Sequence, residues 1–167
     1  AQAKAAGCTI RIDAVGNIFA RRAGRDNTLP AISTGSHIDT QPTGGRFDGN
    51  YGVLAGIEVI QTLNDAGIVT QAPLEVIVWT NEEGSRFVPV MMGSGAFIGE
   101  FKTADILAQK DKEGTSVGEA LAAIGYAGKD VLDPKTFGAY FEAHIEQGPV
   151  LEANDITIGV VTGALGQ

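Results

Sequence analysis

The sequence predicts an α/β layered fold, and three observations carry that reading. Strand-like and helix-like periods alternate along the chain. Leu74 to Thr80 (LEVIVWT) is a nearly unbroken run of branched and apolar residues, as expected of a strand covered on both faces. Glycine supplies 23 of the 167 residues, and much of it falls between apolar runs, which favours loops between layers over a helical bundle.

The elements follow in order. Thr9 to Asp13 alternates and reads as a strand, with Asn17 to Arg21 as its partner and Ala14-Val15-Gly16 as the turn. Gly24 to Leu29 is a polar loop, and Ala31 to Ser36 a short buried strand ending at His37. His37 to Asn50, rich in Gly, Pro, Thr and Asp, predicts a loop. A helical period runs over Tyr51 to Ala66, with Val53, Leu54, Ile57, Ile60 and Leu63 on one stripe. Gly67 stands where a left-handed residue would end that helix. After LEVIVWT, Asn81 to Met92 reads as a loop and Ser94 to Glu100 as a short helix. Thr103 to Ala108 and Ser116 to Ile124 predict two small helices. Tyr140 to Ile145 predicts a strand, Pro149 to Ala153 a helical turn and Ile156 to Thr162 a last strand. No repeat or low-complexity linker interrupts the series. The chain opens on Ala1 in what reads as the tail of a helix and stops at Gln167 just after the last strand, so a fragment is expected.

Composition narrows the function classes. Apolar residues make up 44% and charged residues 19%, a globular balance with enough apolar material for one core. The net charge of −8 repels phosphate backbones, which argues against nucleic acid as a partner. No apolar run approaches the roughly 20 residues of a membrane span. No signal segment opens the chain. The single cysteine, Cys8, allows no internal disulfide and reads as a small residue flanking a strand. The cytoplasm is the expected location.

Four polar clusters punctuate the apolar framework. His37 is one of only two histidines, and Asp39 follows it within Ser36-His37-Ile38-Asp39-Thr40. On extended backbone residues two apart share a face, so Asp39 stands where it could orient the imidazole and leave one nitrogen for a metal. An Asp capping a turn fits the same spacing. Asp48, in Gly44-Gly45-Arg46-Phe47-Asp48-Gly49, directly precedes the predicted helix, as either a cap or a metal ligand. Asn81-Glu82-Glu83-Gly84 places adjacent carboxylates at the carboxyl end of the buried strand, the edge where open α/β sheets bind ligands. Adjacent side chains diverge, so one could hold metal while the other works as a general base. A solvated acidic turn is the plainer alternative. Last, Glu142, His144 and Glu146 would share one face of a strand, ahead of Gln147-Gly148. Together the clusters put histidine and carboxylate at several strand ends. Two ions roughly 3.5–4 Å apart need a bridging carboxylate with terminal ligands on each side. Asp48 suits the bridge, His37 and His144 one ion, and Glu83 the other.

The segments SHIDTQPTGGRFDGNYGVLAGIEVI, WTNEEGSRF, MMGSGAFIGE and AHIEQGPVLE resemble the N-carbamoyl-L-amino-acid amidohydrolases, a group with β-ureidopropionase-like and allantoate amidohydrolase-like members within the M20 metallopeptidases. The resemblance covers essentially the whole chain. It implies a three-layer, mixed-sheet, metallopeptidase-like catalytic domain, with 1–167 as its N-terminal part. It implies two divalent transition metals, with His37 and His144 as terminal ligands of the first. Asp48 would bridge, Glu83 would bind the second, Glu82 would be the general base and Asp39 would support the site. Gln147 matches a polar residue near the substrate. The implied reaction is hydrolysis of a carbamoyl C–N bond of a small ureido substrate, in a full-length homodimer. Mixed nitrogen and oxygen ligands suit Zn, Mn, Co or Ni.

The resemblance also requires a further histidine downstream, on the second ion, and an inserted dimerisation domain; neither occurs in these 167 residues. Little or no turnover is therefore expected of the chain alone. Two other readings compete: an M20 dipeptidase or aminoacylase, and a non-catalytic metal-binding domain. A dinucleotide site at Gly93-Ser94-Gly95-Ala96-Phe97-Ile98-Gly99 fails, because the spacing departs from G-x-G-x-x-G and no strand directly precedes it.

Overall fold

The computed structural model describes residues 1–163. Its centre is a five-stranded mixed sheet built from β1 (Thr9–Ile12), β2 (Ile18–Arg22), β3 (Ala31–His37), β4 (Leu74–Trp79) and β5 (Phe137–Phe141), in the order β1-β2-β4-β3-β5. The β1–β2 and β2–β4 pairs are antiparallel, and β3 runs parallel to both β4 and β5. The carboxyl ends of β4, β3 and β5 therefore lie along one edge. The helices are α1 (Gln2–Ala5), α2 (Asp48–Asp65), α3 (Met92–Ile98), α4 (Thr103–Leu107), α5 (Val117–Ala123) and α6 (Val150–Ala153).

Strand alternation sorts the core into two faces. Ala20 and Val76 meet Ile60 of α2, with Cys8, Ala3 and Ala6 closing that side. Phe19, Ile77 and Trp79 face the other way and pack on Phe97 of α3 and on Phe137. A third cluster joins Val15, Met92, Ile106, Val117 and Leu121 around α3, α4 and α5. The three-layer, mixed-sheet α/β architecture is thus the one expected. Glu75, 1% exposed inside β4, is neutralised by Arg11 at 2.7 Å. The buried Asn17 amide donates to Asp13 and to the Gly93 carbonyl, and its oxygen accepts from the Thr80 N–H. This pins the end of β4, where the Glu82–Glu83 loop departs.

Several boundaries shift. The second helix starts at Asp48, not Tyr51, and its buried face is Gly49, Gly52, Val53, Gly56 and Ile60. Leu54, expected on that face, is exposed. Glycine is a poor helix former, so propensity alone hides this start. Packing overrides it: a Cβ on Gly56 would press on Thr34 and Val76, so the missing side chains let the helix lie close on the sheet. Gly67 does take a left-handed φ of +65° just past the helix. The strand expected over Tyr140–Ile145 runs instead over Phe137–Phe141 and leaves Glu142 and His144 beyond it. Ile156–Thr162 forms no strand. An apolar extended segment becomes a strand only where its backbone finds an edge to pair with, and Ile158 and Val160 stay 78% and 88% exposed. No helix of the described residues is long and apolar enough to cross a membrane.

Candidate metal centre

The strand ends and the start of α2 open on one cleft of about 600 Å³. His37, Asp48, Glu82, Glu83, His144 and Gln147 all line it. Asp39 lies beneath. Residues 107 apart in sequence meet here because β3 and β5 are parallel neighbours, which brings the chain beyond each to the same edge.

His37 ends β3 and is 3% exposed. Its Nδ1 lies 2.9 Å from the main-chain carbonyl of Asp39 and 3.5 Å from the Asp39 carboxylate. His144 has its Nδ1 2.9 Å from the Ile145 carbonyl. A carbonyl only accepts, so both rings carry a proton on Nδ1 and turn Nε2 into the cleft. There His37 Nε2 faces Glu82 at 3.6 Å, and His144 Nε2 faces Asp48 at 3.4 Å. A Cβ at position 49 would collide with the His37 ring, so glycine at the first turn of α2 is what lets the imidazole sit flush on the helix.

Asp48 does not cap α2. Phe47 holds that place without a side-chain bond, while the buried Asp48 carboxylate turns to His144 and accepts from Gln147 Nε2 at 3.1 Å. Asp39 ties the clusters together: its two carboxylate oxygens accept from the N–H groups of Glu82, at 3.2 Å, and Glu83, at 3.0 Å. Glu83 accepts from Gln41 Nε2 at 2.6 Å. Glu146, expected on the same face as His144, instead accepts from the N–H groups of Val150 and Leu151 at the start of α6. The reason is that the chain has left the strand by then.

Charge is tuned accordingly. Burial pushes the Glu82 carboxyl up, the anionic Glu83, Asp39 and Glu142 add to this, and His37 opposes it. The Asp39 hydrogen bond raises His37 to about 9 against the drag of burial, with Glu82 contributing. Asp39 itself is pulled down: burial opposes, but His37 and the two N–H groups win.

Two groups of donors lie within 4.8 Å of one another: His37, Asp48 and His144, and His37, Glu82 and Glu83. Glu83 is thus gathered with His37 and Glu82, while Asp48 belongs to the first group. This donor set fits a transition metal: imidazole Nε2 atoms and carboxylates converge, and each ring's remote nitrogen is already hydrogen-bonded. Two participants have no site role in the sequence reading: Gln41, which appears there only within the SHIDTQPT motif, and Glu142, which is expected only to share a strand face with His144.

The sequence profile of peptidase family M20/M25/M40 matches residues 34–164, which takes in all four motifs, and the chain belongs to that family. It is 48% identical over 161 residues to the N-carbamoyl-L-amino-acid amidohydrolase of Rhizobium meliloti, covering 96% of this chain and 39% of that protein. It is 43% identical over 166 residues to the ureidoglycolate hydrolase of Arabidopsis thaliana, covering 94% and 35%. The crystal structure of a hydantoinase/carbamoylase family amidase from Burkholderia ambifaria matches with a TM-score of 0.94 and 59% identity, over 97% of this chain and 39% of that one. The chain spans about two-fifths of the length of these relatives.

Proposed function

We propose that this chain is the part of a two-metal amidohydrolase that supplies most of its metal centre, and that the full-length protein hydrolyses the carbamoyl C–N bond of N-carbamoyl amino acids or related ureido acids. The observation that carries this is the convergence of His37, Asp48 and His144 with the Glu82–Glu83 pair in one cleft. The similarity to enzymes named for carbamoyl and ureido substrates supports the substrate class.

In this reading His37, Asp48 and His144 would hold one divalent ion, and Glu83 would hold the other, with Asp48 as the carboxylate the two sites would share. Zn, Mn, Co or Ni suits the donors. When bound, the ions supply Lewis acidity to water and to the ureido carbonyl. The residues do the rest. Asp39 fixes the Glu82–Glu83 turn through its two accepted N–H bonds, so the pair is aimed before substrate arrives. Glu82, its pKa raised by burial, is suited to take a proton from the attacking water and return it to the leaving nitrogen. The water oxygen bonds to the carbamoyl carbon, the C–N bond to the terminal nitrogen breaks, and ammonia leaves. The remaining carbamic acid then loses carbon dioxide to free the amino acid. Gln147, already bonded to Asp48, offers its oxygen to the substrate.

A lid and dimerisation domain, a further histidine ligand, a homodimeric state and a cytoplasmic location complete the proposal for the whole protein. The test is a substrate panel on the full-length, metal-loaded protein. Preferential ammonia release from N-carbamoyl amino acids is expected. A preference for plain dipeptides or N-acyl amino acids would move it to another branch of the family, and metal uptake with no hydrolysis of any of them would favour a binding domain.

A further inference from the structure

Glu142 was not among the site residues read from the sequence, yet it joins three elements. Its Oε1 accepts from the Ser36 hydroxyl at 2.5 Å, and its Oε2 accepts from the Tyr140 hydroxyl at 3.0 Å. The Tyr140 oxygen in turn accepts from the Trp79 indole N–H at 2.9 Å. Each group stands at a strand end just ahead of a site residue. Ser36 precedes His37 on β3. Trp79 closes β4, before Glu82. Tyr140 lies in β5, and Glu142 comes two residues before His144.

The backbone ladder joins β3 to β4 as far as His37 and Trp79, but it does not hold the end of β5 to them. The β3–β5 ladder stops at Thr34 and Phe141, short of His37 on one strand and of His144 beyond the other. The Ser36–Glu142 bond is the side-chain link that spans the gap. Ser36 is fully buried, so its hydroxyl needs an acceptor from within the protein. The carboxylate accepts from the two hydroxyls at once, one on each oxygen; an amide carries an NH2 in place of one of those oxygens, so one of the two bonds would have to reverse its direction.

Resting on the metal reading above, we propose that Glu142 is a positioning residue for the metal centre. By tying the chain beyond β5 to Ser36 and, through Tyr140, to Trp79, it holds His144 against Asp48 and beside His37. The two imidazole rings stand 6.3 Å apart between centroids, which is the spacing this clamp sets.

The test is cobalt(II) uptake by the full-length protein, followed by equilibrium titration and by the visible absorption of the bound ion, with melting curves of the metal-free forms alongside. Glu142→Ala is expected to weaken cobalt binding about 10- to 100-fold, the range found when a partner of a metal ligand is lost. The absorption bands are expected to change with it, and Glu142→Gln to fall between Ala and wild type. Tyr140→Phe removes two hydrogen bonds, the one to Glu142 and the one from Trp79, and no charge, and serves if the alanine variant fails to fold; a loss of about tenfold, the low end of that range, is expected. Unchanged affinity and bands in Glu142→Gln and Tyr140→Phe would overturn the proposal. So would a lowered melting temperature with unchanged bands, the mark of a merely structural role. Failure of the wild-type protein to take up cobalt would overturn the metal reading itself, and this one with it.

Discussion

The two imidazoles of the centre stand on different ground. His37 ends a central strand, is 3% exposed and rests against α2. His144 lies in irregular chain beyond the edge strand β5, with its side chain 30% exposed. The sheet divides the same way. On the β2–β4–β3 side, Phe19, Ile60, Val76 and Ile77 are all at 2% or below, closed in by helices on both faces. On the β5 side, Phe141 is 62% exposed. A side chain on the closed side is placed by folding. A side chain on the open side is placed by a few side-chain bonds: Gln147 to Asp48, Glu142 to Ser36. The closed half of the centre should therefore survive perturbation of the open half, and the reverse should not hold.

The largest effect is expected at Glu82, which the closed side aims into the cleft. If Glu82 is the general base proposed above, Glu82→Gln in the full-length protein should lower kcat about 10²- to 10⁴-fold, the usual worth of a general base, while metal content stays unchanged. Parallel loss of metal would show instead that Glu82 is a ligand. Next comes the core itself. Ile60→Ala removes a side chain 1% exposed between α2 and the sheet, and about 2–5 kcal/mol of stability should go with it in denaturant unfolding. Because α2 carries Asp48, metal affinity should fall as well.

Gly49→Ala tests the contact between the two halves of the closed side. The added methyl meets the His37 ring, and overpacking of this kind costs about 1–3 kcal/mol. The imidazole must swing off α2, so cobalt or manganese uptake should drop by more than the stability loss explains. Uptake equal to wild type would mean that the ring is not held where the helix start puts it.

These substitutions also mark how far the sequence was legible. Period and composition were enough for the layers, for β3, β4 and the small helices, because apolar alternation is local. The start of α2 was hidden by Gly49 and Gly52, whose value lies in what they touch, not in their propensity. Ile156–Thr162 looked like a strand because branched apolar residues favour one, yet pairing is decided by a neighbour that the local sequence does not contain. At the site, His37, Asp48, Glu82, Glu83 and His144 were each ambiguous alone and gained weight as a set. The bonds that bring Glu142 and Gln41 into the site were not legible, since hydrogen bonds over 106 and 42 residues leave no spacing to read.

Protons should separate the metal-free from the loaded protein. His37 rises from 6.5 to about 9 on folding, chiefly through its hydrogen bond to Asp39. Its contribution to the stability of the metal-free protein is therefore fully present below pH 6.5 and is lost as pH rises through 9. Metal binding runs the other way, because the Nε2 proton must leave first; below pH 9 each unit of acid should cost about tenfold in affinity. The gain in melting temperature on adding manganese should widen between pH 6.5 and 9. A gain that is flat across this window would mean that His37 is already neutral in the metal-free fold.

The smallest effect is expected on the open side, and there the comparison is sharpest. Ile158→Ser and Val160→Ser replace side chains that touch little, so the stability of this 167-residue chain should move by no more than about 0.5 kcal/mol. Its solubility should rise, because exposed branched apolar side chains invite association. The same substitutions in the full-length protein then become informative. If further polypeptide covers this stretch there, burying a serine where a branched side chain packed should cost on the order of 1–3 kcal/mol. Cobalt affinity should fall with it if the covering polypeptide also holds the chain around His144. A silent result in both proteins would mean that the open side stays open, and that the side-chain bonds of Glu142 and Gln147 alone place the second imidazole.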